Sequence, residues 1–534
     1  MQRGSRVVLA VMAWATLAAA EPDAWMDAVQ PPGEGWRQHR QELVVNNESE
    51  PKTLDPHRMT GVVEMRVASA LFEGLTTPDP RDLTPRPALA ASWEVDDDGL
   101  GYTFRLRPGL AFSDGRPIDA EVVRASWLRA LAPATGCEYA ELFDPIVGAE
   151  ALRRGAAAEL GVEARDPLTL RVRLRHPCPW FLQLLAMPPF AAVPLHAIAA
   201  HGERWTAPGA LVSSGPFLLA EHRPRQHLVL VPNPRWRAAP RLRLTRLTLL
   251  PIADADAAYR LFCSGAVHWL PSIPLAKWEE VRWLPEYYIA PFLASYFYRF
   301  NCARPPFADK RVRRAFSLAI DRRVIARQVL RAGQVPATWL TPPMPGYEPP
   351  RGLATDRARA RALLAEAGWG PGGRPLPRIR LLYNTSEAHK QIAEAVAKQW
   401  EEALGVQVEL VNREWKVYLA ELSALDYMVA RSAWVADYQH PDTFLSLWVS
   451  NGGNNRTGWA SADYDAALQA ARAERDPRAQ MQRYRELERV LVEDELPIMP
   501  LYIYVSQGLL RSEVRGWWTN PRDEHPWWCL WIEP

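Results

Sequence analysis

The stretch IRLLYNTSEAHKQIAEAVAKQWEEALGVQVELV, residues 379–411, decides the fold class. It opens with one apolar run, Ile379–Tyr383, and closes with another, Val406–Val411. Between them Ser386 stands where a helix needs a side-chain cap, His389–Leu404 carries the helical spacing of apolar residues, and Gly405 is the stop. Strand, helix and strand with short joins make a βαβ unit, two parallel strands under a right-handed crossover. The same punctuation continues outward. Asp321 precedes a helix Arg322–Ala332 stopped at Gly333, and Asp356 opens another that closes at Gly368. Two further helices, Ala462–Arg472 and Arg478–Glu493, lead into the apolar run Pro497–Val505. Earlier in the chain, Tyr102–Arg107 and Leu168–Leu174 alternate as half-buried strands do, and Asp119 caps Ala120–Leu131. The expected class is α/β, with open sheets that hold a ligand beyond their carboxyl edges.

The first twenty residues read as a signal peptide: Arg3 and Arg6, an apolar run Val7–Ala20, and an Ala18-Ala19-Ala20 cleavage site before Glu21. No cysteine stands near that site, so a lipid anchor is not expected. Removing residues 1–20 leaves 61 basic against 61 acidic side chains, which offers no footprint for nucleic acid or an anionic membrane. The remaining 514 residues exceed one small domain and imply roughly two to four lobes.

Chemistry-bearing motifs are missing. No HExxH, GxSxG, Walker A or paired CxxC occurs, and the histidines are scattered, so no catalysis, cofactor or metal is expected. The Gly-rich stretch 368–373 follows a helix rather than a strand, which removes the dinucleotide reading. Cys137, Cys178, Cys263, Cys302 and Cys529 form no CxxC pair, and most are expected to be buried thiols. One segment draws attention: Ala430–Tyr438, an apolar run ending in Asp437 between aromatic residues. A carboxylate there caps the next turn, which is the plainer reading on residues alone, or meets an ammonium group with Trp434 as an apolar wall.

Several stretches taken in order carry a resemblance. They are Thr53-Leu54-Asp55-Pro56-His57, Leu71-Phe72-Glu73-Gly74-Leu75, Phe112-Ser113-Asp114-Gly115, Pro305-Pro306-Phe307, Ala319-Ile320-Asp321-Arg322, Leu381–Ser386, Asn412–Lys416 and Arg431–Pro441. In them the chain resembles the periplasmic oligopeptide-binding proteins of ABC importers, solute-binding protein family 5, which includes a murein-tripeptide-binding member. The resemblance implies a two-lobed periplasmic-binding-protein fold of class II, a Venus flytrap, with an extra domain. Domain I would comprise 21–72, 198–293 and 506–534, domain II 73–197, and domain III 294–505, with hinges near Leu293–Ser295 and Tyr504–Ser506.

It also implies a function: a periplasmic, monomeric receptor that takes a short peptide by its backbone and free amine and hands it to inner-membrane ABC permease subunits. Thr60, Gly61 and Val62 match one set of backbone contacts, and Ala433, Trp434 and Val435 the other. Asp437 matches the acid that meets the α-ammonium, while Trp434, Trp415 and Tyr139 match side-chain pocket aromatics, and Phe297 belongs to the same site. Arg431 and His389 match basic residues that meet a terminal carboxylate, although Arg431 is also read as a partner in an internal salt bridge.

Departures accompany the likeness. Two further basic positions are Leu330 and Leu422, and Ala294 and Val435 occupy the places of a disulfide. Acids of the family are replaced by Thr60 and Arg299, where Arg299 faces either a ligand carboxylate or an acid such as Asp426. The missing disulfide and Leu330 are shared with the murein-tripeptide member, so a cell-wall tripeptide or a non-peptide amine is the alternative cargo.

Overall fold

The computed structural model describes residues 23–31, 33–59, 61–370, 372–450 and 452–534. The signal-peptide expectation and Thr60 fall outside them. The unit at 379–411 forms as read. Ile379–Asn384 and Val408–Arg413 pair in parallel, and helix Glu387–Leu404 joins them. Ser386 accepts from the His389 amide, and Gly405 ends the helix at φ 69°. Asp119, Asp321 and Asp356 each cap the helix that follows.

Two helices differ from the expected lengths for one reason. After Arg322–Val324 the chain widens into a π turn, Ile325–Leu330, closed by an Arg331 amide to Ala326 carbonyl bond. It stops at Arg331, two residues before Gly333. Likewise Pro477–Arg489 passes into a π turn at Val490–Asp494. In these widened turns Ile325, Leu330, Leu491 and Val492 lie in the core.

Among the described residues one eleven-stranded sheet runs through the molecule. Three of its strands position the site: β1 (Tyr287–Phe300), β2 (Val429–Val435) and β3 (Ile498–Leu510). β1 and β3 are long and antiparallel, pairing Tyr287–Pro291 with Val505–Leu509 and Ser295–Arg299 with Ile498–Ile503. Between the two blocks the register shifts. Beyond one block the sheet continues through Trp269–Leu270, Glu42–Asn46 and Arg246–Leu250. Beyond the other it continues through β2, Ile379–Asn384 and Val408–Arg413. A separate antiparallel sheet, Ala90–Val95, Gly101–Leu106, Thr169–Arg173 and Val162–Asp166, has its own core around Trp127, Phe143 and Phe190.

No described helix is long and apolar enough to cross a membrane. All five thiols are unpaired, and fewer are buried than expected: Cys178 and Cys529 fully, Cys137 and Cys302 in part, with Cys263 exposed. Cys263 ends a surface helix whose apolar face is carried by Ala258 and Phe262 instead. Ala294 and Val435 face each other across β1 and β2.

Candidate ligand cleft

The site begins with an interrupted strand pairing. Ile379–Asn384 meets β2 only at Val429 and Ala430, so from Arg431 to Val435 β2 has β1 on one side and no strand on the other. The backbone polarity follows from two bonds. The Ala436 amide donates to Leu293 on the β1 side at 2.8 Å, while the Arg431 carbonyl, on the other side, accepts from the Tyr418 hydroxyl. Alternate residues of a strand address alternate edges. Ala433 and Val435 therefore direct their N–H and C=O groups to the open edge, inside the protein rather than at its surface.

That edge opens on a cavity of about 380 Å³ lined from both ends of the large sheet. Gly61 and Val62, at the start of α1 (Val62–Leu71), lie on one wall with Tyr139, Trp269 and Arg522. Arg431–Asp437 form the other wall, with Trp415 and Tyr418 of α2 (Trp415–Ser423), whose rings stack at 5.5 Å. The cleft is shut. Trp180 stacks on Tyr438 at 5.2 Å and 4° and lies 4.1 Å from the His440 ring, and Gln183 accepts from the Gln439 amide at 2.8 Å. Arg522 Nε donates to the Ala436 carbonyl at 3.1 Å.

Asp437 sits just past the end of β2 and is 6% exposed. It does not cap the next turn. Its amide donates to Thr443 Oγ1 at 3.1 Å, and the Thr443 hydroxyl lies 3.5 Å from Oδ2. Burial pushes its carboxyl up to about 7, against the opposing field of Arg522 and the Thr443 bond. Arg522 itself pairs with Glu524 at 2.6 Å, and no described cation forms an ion pair with Asp437. Such a group accepts a proton or an ammonium.

Arg431 lies on the opposite face of β2 from Trp434. Its guanidinium stands 5.0 Å over the Tyr296 ring and donates weakly to Asn384 (3.2 Å) and Tyr504 (3.3 Å). Its Nε has no partner, and it makes no ion pair with a described carboxylate, so the internal salt bridge is not formed. Trp434 donates from Nε1 to Thr443 at 3.3 Å, and Trp415 is 40% exposed to the cleft. Burial raises the Tyr139 hydroxyl pKa, with the Asp437 charge adding to it.

Other expected residues fall elsewhere. His389 is not on the cleft wall; its ring lies 5.6 Å from Tyr296, and burial, reinforced by Arg431, pushes its imidazole down to about 2. Phe297 is fully buried against Trp448 and is part of the support. Arg299 does not face Asp426, which lies 3.8 Å from Arg304. Leu330 and Leu422 are buried. Arg522 and the 523–528 segment were absent from the sequence-based set. Their approach depends on the C-terminal chain crossing to Ala436, although the clustered tryptophans at 517–518 and 527–528 were a visible sign. Among the described residues no group of three or more His, Cys, Asp or Glu is placed to hold a metal ion.

Residues 84–456 match the family model "Bacterial extracellular solute-binding proteins, family 5 Middle". The periplasmic murein peptide-binding protein MppA of Escherichia coli is 36% identical over 91% of this chain and 92% of its own length. The probable deoxycholate-binding periplasmic protein YgiS (36%; 90% and 91%) and the periplasmic oligopeptide-binding protein OppA (35%; 90% and 90%), both of E. coli, are similar to a like extent. The MppA structure superimposes with a TM-score of 0.86 at 34% identity, covering 92% of this chain and 99% of that one. Its unliganded open form scores 0.69, at the same identity and with 92% and 98% covered, which agrees with the shut cleft. The solute-binding character, the two-lobed α/β fold and the site geometry lead to one assignment: the chain belongs to the bacterial extracellular solute-binding proteins of family 5.

Proposed function

We propose that this chain is a periplasmic receptor that captures short peptides by their backbone and free amino terminus and delivers them to an ABC importer. The observation that carries the reading is Asp437, a buried carboxylate without an ion-pair partner, at the end of an open strand edge. A peptide added along Ala433 and Val435 satisfies that edge without reading side chains, and its ammonium neutralises Asp437. Arg431, on the same strand, then meets the terminal carboxylate, and Gly61 and Val62 close from the opposite wall. Trp434, Trp415 and Tyr139 bound the side-chain spaces.

In this reading residues 1–20 are removed on export. The lobes divide as 21–72, 198–293 and 506–534 (domain I), 73–197 (domain II) and 294–505 (domain III), and the register shift in β1 and β3 serves as the hinge. The receptor acts as a monomer and needs no cofactor.

A cell-wall tripeptide is the second reading, favoured by Leu330, the unbridged Ala294–Val435 pair and the likeness to MppA. A bile-acid anion, the ligand in YgiS's name, lacks the amine that Asp437 calls for. Calorimetric titration with Ala-Ala-Ala and its N-acetyl form tests the proposal. Tight binding of the free amine alone supports it, and equal binding of the two forms contradicts it.

A further inference from the structure

The two faces of β2 are unequal. Arg431, Ala433 and Val435 project to one side, and Ser432 and Trp434 to the other. Cross-strand partners share a face, and Phe297 pairs with Ser432 and Arg299 with Ala430, so Arg299 lies on the Trp434 side. Its Nε donates to Ser432 Oγ at 3.0 Å, and Nη1 donates to the carbonyls of Asn454 and Asn455, both at 2.6 Å. The guanidinium stands 5.5 Å over Phe297 and 5.0 Å over Trp448.

Arg299 is 4% exposed, yet it lines the cleft together with Arg456, Tyr418 and Leu422. Burial pushes its guanidinium down to about 10. No described carboxylate pairs with it: Glu421 is held by Arg413 at 2.5 Å, and Asp426 lies by Arg304. Two carbonyls orient the guanidinium but leave its charge uncompensated, and a buried cation ordinarily has an anion.

Register supplies the anion. A peptide beside the open edge with its amine at Asp437 sets its first residue opposite Val435 and its second opposite Trp434, so the second side chain points into the Arg299 pocket. We propose that Arg299 binds the carboxylate of an acidic side chain at the second position of the captured peptide, making this receptor selective for acidic peptides. The inference rests on the peptide-receptor reading, and it gives the preferred ligand one ammonium, for Asp437, and two carboxylates, for Arg431 and Arg299.

The test is calorimetric titration of the purified protein with Ala-Glu-Ala and Ala-Gln-Ala, isosteres that differ in one charge. Ala-Glu-Ala is expected to bind at least about tenfold more tightly, the effect of one charge-assisted bond. Arg299→Met is expected to bring the ratio near one, and Arg299→Lys to retain part of it. The lysine variant and the wild-type ratio decide the matter if the methionine variant does not fold. A wild-type ratio near one, or one that survives in Arg299→Met, overturns the role of Arg299 and leaves the peptide receptor standing. Failure of every free-amine peptide to bind overturns both.

Discussion

Replacing Asp437 with asparagine removes the carboxylate on which capture depends while keeping its shape. In the shut, empty cleft, burial raises that carboxyl from 3.8 to about 7. At about 1.4 kcal/mol per unit, an ionised Asp437 there is about 4 kcal/mol less favourable than in water. The contribution of Asp437 to the stability of the empty shut form is therefore greatest at low pH and is lost as pH rises from about 4 to about 7. An ammonium reverses this. It holds the carboxylate ionised, so binding releases a proton below pH about 7, and affinity strengthens as pH rises from about 5 to 7 and levels off above. After the ammonium's own loss of hydration, the charge-assisted bond contributes about 1.5–3 kcal/mol. Asp437→Asn should thus weaken a free-amine tripeptide by about 10- to 100-fold and flatten its pH profile between 5 and 7. Calorimetry across that range, with the N-acetyl tripeptide in parallel, reads both effects. Equal losses for the two ligands, or an unchanged pH slope in the variant, would refute the reasoning.

Three more expectations follow from the same geometry. Arg431→Met should weaken Ala-Ala-Ala by about 10- to 100-fold and its C-terminal amide little, since Arg431 lacks any other anion; equal losses in titration would remove it as the carboxylate partner. Trp180→Ala takes away the stack with Tyr438 and His440 across the shut cleft, and stopped-flow should show peptide dissociating about three- to tenfold faster, with an unchanged rate counting against a closing role. Arg472→Met strands Asp442, which is fully buried and held by Arg472 through two 2.8 Å bonds; denaturant unfolding should show a loss of about 3–5 kcal/mol at pH 7, and a loss below 1 kcal/mol would contradict this account.

The fold was legible where short-range signals agree. Ser386 and Gly405 bracket one helix, Asp119 opens another, and the strands at 379 and 408 alternate with them, so the α/β class follows from local punctuation. The π turns after Val324 and Arg489 carry no comparable signal, because packing against the core sets them. At the site, the position of Asp437 after an apolar strand was visible, but its depth was not, because the residues that enclose it, Thr443 excepted, come from distant chain. His389 shows the reverse. It stands in the first turn of a well-read helix, yet its surroundings, Tyr296 and Arg431, come from other strands. The unpaired state of Arg299 is equally non-local, since Asp426 is close in sequence to β2 but turns to Arg304.

The most direct test of the account is mass spectrometry of whatever the natively purified protein releases on gentle denaturation. The account predicts short peptides with free amino termini, enriched in an acidic second residue, or a single cell-wall tripeptide. A released ligand with no amine would contradict it.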